Sequence, residues 1–268
     1  MFVTRTVSGV ILLAVTIAMI AASGPLLYLF ITAISVIGLF ELYRVFNLEK
    51  SYASIVGYLS AVAMSSVILA GKGEGAPLVL TVGFLAVMSM YVLTYPRYHA
   101  DQIVKIIFGM VYVPFMLCYI FRTRVEADGA YTVWLIFISA WGCDTCAYLA
   151  GRAFGKHKMT PVLSPRKTVE GAVGGVAGAG ILGLIYGLIF AEKLTAFTHP
   201  ALSCVIICVC GAFLSMMGDL SASAIKRNYD IKDYGKIIPG HGGIMDRFDS
   251  VIFTAPCIYI LTVILQAV

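Results

Sequence analysis

Charge is what this sequence has least of. Asp, Glu, Lys and Arg make up 12% of its 268 residues, about half the share of an ordinary soluble domain. With 60% apolar residues and a mean hydropathy of +0.93, too little polar surface remains to cover a compact domain in water, so lipid must solvate much of the outside. The same scarcity excludes a disordered chain, a collagen-like repeat and a nucleic-acid-binding module. Cysteines in a paired loop pattern are also missing. All 7 lie within apolar runs, which argues against an extracytoplasmic disulfide framework. Cys143 and Cys146 have no second Cys or His pair nearby and read as small buried hydrophobes rather than a redox or zinc pair.

What the chain does have is apolar runs, at about 6–23, 25–46, 52–70, 77–95, 103–121, 131–151, 171–191, 202–218 and 248–267. At roughly 20 residues per crossing, these predict an all-α, polytopic integral membrane helical bundle with about nine transmembrane helices and no room for a second, soluble domain. Arg5 precedes the first run and no small-residue cleavage pattern follows it, which reads as a retained helix. Ser23-Gly24-Pro25 separates the first two runs as a tight hairpin or a broken pair. Most of the 19 Lys and Arg residues fall in loops after the even-numbered runs. The positive-inside rule therefore puts those loops and the carboxyl terminus in the cytoplasm and the amino terminus outside. Two of these loops are longer than plain turns, 152–170 and 219–247. The expected organisation is an N-terminal part, 1–130, serving as scaffold and dimer or lipid contact, and a C-terminal catalytic part, 131–268, that carries both loops.

Carboxylates inside apolar spans cost several kcal/mol unless partnered or neutralised. Glu41 lies near the inner end of the second span, Asp144 about two turns from the inner end of the sixth, Asp219 at the close of the eighth, and Asp246 with Asp249 at the opening of the ninth. Acidic groups at one depth, facing basic loops on the same side, are what a polyanion-plus-metal pocket needs. The plainer reading of Glu41 is an interfacial residue paired with Arg44 at i,i+3, and that of Asp144 a helix-packing hydrogen bond. Asp246 and Asp249, at i and i+3, share a helix face and also complement a helix dipole. Ahead of them, Pro239-Gly240-His241-Gly242-Gly243 follows Lys226, Arg227 and Lys232. Glycines there let backbone N–H groups approach a phosphate closely. In the 152–170 loop, Lys156-His157-Lys158 and Ser164-Pro165-Arg166-Lys167-Thr168-Val169-Glu170 supply cations and oxyanion donors, with Glu170 suited to orient a lysine or a metal-bound water. A polybasic strip attracted to acidic lipids is the alternative there.

From Ser223 the chain reads Ser-Ala-Ile-Lys-Arg, then Lys232-Asp233, Gly235, Pro239, His241-Gly-Gly and Asp246-Arg-Phe-Asp249. This text resembles the signature of the phosphatidate cytidylyltransferases, or CDP-diacylglycerol synthases. Asp144-x-x-Ala-Tyr148, Gly151-x-x-Phe-Gly-Lys-His157 and Ser164-Pro-x-Lys-Thr-x-Glu-Gly-x-x-Gly-Gly175 are similar to the family's upstream text. Residues 1–130 match in hydropathy alone.

The resemblance implies an inner-membrane enzyme that makes CDP-diacylglycerol and pyrophosphate from CTP and phosphatidate. It further implies a homodimer with a divalent cation, Mg²⁺ or Mn²⁺, and K⁺ as a second metal. By motif, Asp219, Asp246, Asp144 and Asp249 are metal ligands and, with Lys167, catalytic residues. Lys226, Arg227, His241 and Arg247 face phosphates, and Ser164, Arg166, Lys167, Thr168, Glu170, Ser223, Lys232, Gly242 and Gly243 complete the substrate site. Two anions must approach each other while pyrophosphate leaves, so neutralising their repulsion is the main task. Phosphatidate is already ionised, so no general base is needed. The rival readings are another CTP-dependent lipid or polyprenol kinase or nucleotidyltransferase and, from a different class, a proton-coupled transporter. The transporter predicts midplane carboxylates and internal repeats, and neither is legible here.

Overall fold

The computed structural model describes residues 2–267, with side chains from residue 7 onward, so the side chain of Arg5 lies outside the description. Each apolar run lies in a helix: α1 Phe2–Ala22, α2 Gly24–Val45, α3 Tyr52–Leu69, α4 Ala76–Leu93, α5 Ala100–Val125, α6 Gly129–Phe154, α7 Val169–Ile189, α8 Pro200–Asn228 and α9 Met245–Gln266. Among the described residues, eight helices are long and apolar enough to cross a membrane, and the shorter apolar stretch Val7–Ala22 precedes them. The chain is a polytopic helical membrane protein. Side chains such as Leu93, Leu78 and Val173, at 85%, 66% and 66% exposure, have lipid as their solvent.

Local chemistry sets the breaks. Between α1 and α2 only Ser23 is non-helical. Ser23 and Gly24 both have positive φ, 56° and 51°, and a Pro stands in the first turn of α2, where its missing N–H has no helical partner to lose. Within α5 the turns widen over Val111–Phe115 around Pro114, whose absent N–H shifts the hydrogen-bond ladder. A second widened stretch, Ile138–Gly142 in α6, stands directly ahead of Cys143 and Asp144.

The chain forms two compact units, Met1–Arg122 with Asp233–Arg247, and Thr123–Lys232 with Phe248–Val268. In the first, the Tyr43 hydroxyl donates to the Ile106 carbonyl (2.8 Å), and its ring fills the space left by the missing side chains of Gly57 and Gly109. The segment 233–247 joins this unit rather than the C-terminal part to which sequence order would assign it. Its anchors are side chains of α1 and α2, described below.

In the second unit, α7 packs against α6 and α8 through small residues. A Cβ at Gly178 would lie 2.5 Å from Cys146, and one at Gly183 2.9 Å from Cys208. Lipid tails are as apolar as side chains, so close backbone approach rather than apolar burial holds such helices together. All seven cysteines are free, and those at the crossings act as small packing residues. Cys143, Ala179 and Ala212 form the buried contact of the three helices.

Two departures concern the loops. The polar stretch 219–247 opens as helix, because α8 runs on to Asn228. Leu220–Arg227 is polar enough to end an apolar run but has no Gly or Pro to end a helix. The 152–170 loop contains a two-stranded antiparallel hairpin, β1 Lys158–Thr160 and β2 Ser164–Thr168, with Lys158 opposite Thr168 and Thr160 opposite Ser164. It is the one sheet among the described residues of an otherwise helical protein.

Candidate active site

In the second unit, three apolar helices each bring a carboxylate to the same place. Asp144 follows the widened turns of α6 and is exposed; Asp219 lies on α8 and is partly exposed; Asp249 lies on α9 and is buried. Asp219 is ion-paired with Lys167 from the end of β2. Asp144 accepts a long hydrogen bond from the Ser250 hydroxyl (3.4 Å). Asp249 accepts the Ser250 N–H (2.8 Å), and its charge interacts with those of Asp219, Lys226 and Asp144. Gly218 permits the approach of α9 to α8, since a Cβ there would lie 2.6 Å from the Asp249 carbonyl oxygen. Asp219, Ser223 and Lys226, at i, i+4 and i+7, line one face of α8.

The three carboxyl groups interact electrostatically, and carboxylates that face one another in a site partly withdrawn from water call for cationic partners. Lys167 and Lys226 are cationic side chains that interact with the three carboxyl groups. Carboxylate oxygens are hard donors that suit Mg²⁺, Mn²⁺ or an alkali ion rather than a thiolate-seeking metal. Among the described residues, no three His, Cys, Asp or Glu side chains stand close enough together to hold a metal ion. The donor chemistry therefore fits a hard cation, and the arrangement of the side chains is not that of a closed metal site.

The hairpin that carries Lys167 is fastened at its root. Glu170 accepts the N–H groups of Lys156 (3.1 Å) and His157 (3.2 Å) and meets His157 Nδ1 at 2.6 Å. Thr168 caps α7, its hydroxyl accepting the Gly171 N–H (3.1 Å). In this structure Glu170 ties the chain entering β1 to α7, and Thr168 ties the end of β2 to it. Ser164 is half-buried and Arg166 exposed. Arg227 reaches back to the hairpin, its Nε donating to the Leu163 carbonyl (3.5 Å), and Lys232 is exposed.

The remaining motif residues lie in the first unit. Asp246, 6% exposed, accepts the N–H groups of Tyr234 (2.8 Å) and Gly243 (3.0 Å) on one oxygen, Oδ2. Ile238 and Gly242 form a short bridge across the turn, in which Gly240 and Gly242 take φ of 77° and 86°, a region that favours glycine. The His241 N–H donates to the Ile238 carbonyl (2.9 Å), and Nδ1 of its ring meets the Ser8 hydroxyl at 2.7 Å. Ser8 in turn donates to the Pro239 carbonyl (2.9 Å), so the shared proton of the first bond comes from the imidazole. The backbone N–H groups of His241 and Gly243 are thus engaged within the turn. Arg247 is half-buried.

The residue that reasoning from sequence undervalued is Glu41. It is fully buried, and its Oε2 accepts the Met245 N–H (2.9 Å) at the start of α9. Arg44, its expected partner, donates instead to the Tyr234 carbonyl. The lack of side chains at Gly235 and Gly243 makes room for the Glu41 carboxylate, since Cβ atoms there would lie 2.0 and 2.3 Å from Oε1.

Residues 3–265 match the model of the cytidylyltransferase family. A phosphatidate cytidylyltransferase of Staphylococcus saprophyticus is 34% identical over 264 residues, covering 97% of this chain and 98% of the relative. Those of Staphylococcus epidermidis and Staphylococcus aureus are each 33% identical with the same coverage, over 264 and 267 residues. Similarity this continuous takes in α1–α5 as well as the motif-bearing helices, and on it the chain belongs to the cytidylyltransferase family.

Proposed function

We propose that the protein is a phosphatidate cytidylyltransferase. It transfers CMP from CTP to the phosphate of phosphatidate, giving CDP-diacylglycerol and pyrophosphate. The observation that carries this reading is the meeting of Lys167, from the end of β2, with Asp219 on the membrane-spanning helix α8, with Asp144, Asp249 and Lys226 around them. The relatives named above, matched end to end, support the same substrate pair.

In the proposed reaction a phosphate oxygen of phosphatidate attacks the α-phosphorus of CTP. The new phosphorus–oxygen bond forms in line with the bond to the bridging oxygen of the β-phosphate, which breaks with its electron pair on departing pyrophosphate. Lys167, Lys226 and Arg227 lower the repulsion between the two anions and hold them in line. Both substrates are ionised near neutral pH, so no side chain has to remove a proton. Asp144, Asp219 and Asp249 are the groups to hold Mg²⁺ or Mn²⁺, with K⁺ as a second ion; the motif adds Asp246. A bound divalent ion would supply neutralisation of phosphate charge. His241 and Arg247 are assigned to phosphate by the motif, and Ser164, Arg166, Thr168, Glu170, Ser223, Lys232, Gly242 and Gly243 to the rest of the substrate site.

The distribution of Lys and Arg supports a site at the cytoplasmic face of a bacterial inner membrane, with the amino terminus outside, the carboxyl terminus inside and surrounding lipid as partner. Association as a homodimer through the N-terminal helices belongs to the same proposal. The test uses the purified protein in detergent micelles with phosphatidate, Mg²⁺ and CTP labelled either in the cytosine ring or at the γ-phosphate. Cytosine label appearing in a liponucleotide is the expected result. Transfer of γ-phosphate to lipid without cytosine would replace the reading with a lipid kinase.

A further inference from the structure

Glu41 lies far from the signature in sequence, on a helix to which the motif assigns nothing, yet it touches the signature segment at its base. The carboxylate accepts the N–H of Met245, the first residue of α9 and the neighbour of Asp246. That N–H belongs to a helix start, where backbone donors have no partner within the helix. Glu41 therefore caps α9 from a different helix. The same carboxylate fills the space between Gly235 and Gly243, which any side chain at either position would close. One turn further along α2, Arg44 holds the Tyr234 carbonyl, while Asp246 holds the Tyr234 N–H. Both ends of the segment Tyr234–Met245 are thereby tied to α2.

Stability alone accounts poorly for this choice of residue. Glu41 is a fully buried carboxylate whose backbone partners are the N–H of Met245 and, with poorer geometry, that of Ile244, and the carboxylate of Asp246 stands near it. Burying such a group costs its hydration, and an apolar residue at this position would avoid that. What the carboxylate achieves is placement, because its reach fixes where α9 begins and how the Gly235–Gly243 turn closes.

We infer that Glu41 is a positioning residue of the cytidylyltransfer reaction, setting the Tyr234–Asp246 segment so that its phosphate-facing groups meet CTP. This rests on the functional reading above. The test compares Glu41→Gln, which keeps the reach and an acceptor oxygen but loses the charge, with Glu41→Asp, which keeps the charge but is one methylene too short. Both are measured as full-length protein in detergent, by hydrogen exchange across 233–247, by thermal unfolding, and by KM for CTP against kcat.

The expected result is that Glu41→Asp speeds amide exchange in the segment and raises KM for CTP about tenfold with little change in melting temperature. Glu41→Gln is expected to stay within about threefold of the parent in KM and to keep its exchange protection. Three outcomes overturn the inference: unchanged exchange and KM in Glu41→Asp, equal impairment in both variants, or a fall in melting temperature that accompanies every loss. If the parent protein makes no CDP-diacylglycerol, the functional reading fails by itself, and the exchange comparison still judges what Glu41 does to the segment.

Discussion

The ammonium of Lys167, at the end of β2, is ion-paired with the carboxylate of Asp219 on α8. Both side chains are about a quarter exposed, 24% and 27%, so water screens the pair and it adds little to stability, in the range of exposed pairs at about 0–1 kcal/mol. Its position matters more than its strength. In the proposed substrate site, a lysine held against an acidic group would exchange one negative partner for another when phosphate arrives.

Lys167→Ala is accordingly expected to raise KM for CTP or phosphatidate tenfold or more, with the melting temperature changed by no more than a few degrees. Asp219→Asn is expected to act on turnover instead, lowering kcat at least a hundredfold, about 2.7 kcal/mol of transition-state stabilisation at 1.36 kcal/mol per decade. Steady-state kinetics at saturating and limiting CTP separate the two. A Lys167→Ala enzyme with unchanged rate at low substrate would remove Lys167 from the phosphate contacts.

Asp246 combines a charge with a backbone role, and two substitutions separate them. Its Oδ2 accepts two N–H groups, which the amide oxygen of Asp246→Asn can still do. That variant is expected to fold and melt like the parent while losing nearly all turnover, as the loss of a charge at a metal or phosphate site would produce. Asp246→Ala leaves the Tyr234 and Gly243 N–H groups without their acceptor, at about 1–3 kcal/mol for each buried group. A clear fall in melting temperature is therefore expected only in Asp246→Ala, measured by thermal unfolding in detergent. Near-normal activity in Asp246→Asn would reject its assignment as a ligand.

These residues differ in how legible they were before the fold was known. The helices follow from hydropathy, because each apolar run needs its backbone hydrogen bonds satisfied in lipid, and a helix does that within the segment. Asp144, Asp219 and Asp249 stood out as carboxylates within or at the edge of apolar runs. The end of α8 did not, since polarity marks where lipid stops rather than where a helix stops. Glu170 carried the right charge for a substrate contact, but only the hairpin's return brings the Lys156 and His157 N–H groups onto it. The role of Glu41 depends on a bond across 204 positions, which no local pattern encodes. The same bond explains why 233–247 belongs with the first unit although it follows α8 in sequence.

The metal-holding role proposed for Asp144, Asp219 and Asp249 predicts that activity depends on added cation. Chelation of divalent ions with EDTA is expected to abolish turnover, and excess Mg²⁺ or Mn²⁺ to restore it, whereas K⁺ alone restores nothing. Asp249→Asn is expected to raise the Mg²⁺ concentration needed for half-maximal rate. Full activity in EDTA would mean that Lys167 and Lys226 suffice to neutralise the substrates, and would end the metal assignment of all three carboxylates.

Gly243 gives the sharpest steric prediction. A Cβ built there lies 2.3 to 2.5 Å from three atoms of the Glu41 carboxyl group, well inside contact distance, and Glu41 is fully buried with little room to retreat. Gly243→Ala is therefore expected to displace either the carboxylate or the turn, lowering kcat/KM at least tenfold. The clash is with one side chain, so shortening that side chain should relieve it. Glu41→Ala combined with Gly243→Ala is expected to be more active than the two single losses multiplied together, a non-additivity that sites without contact do not produce. Multiplicative losses in the double variant would show that the glycine is needed for another reason, such as backbone approach to phosphate.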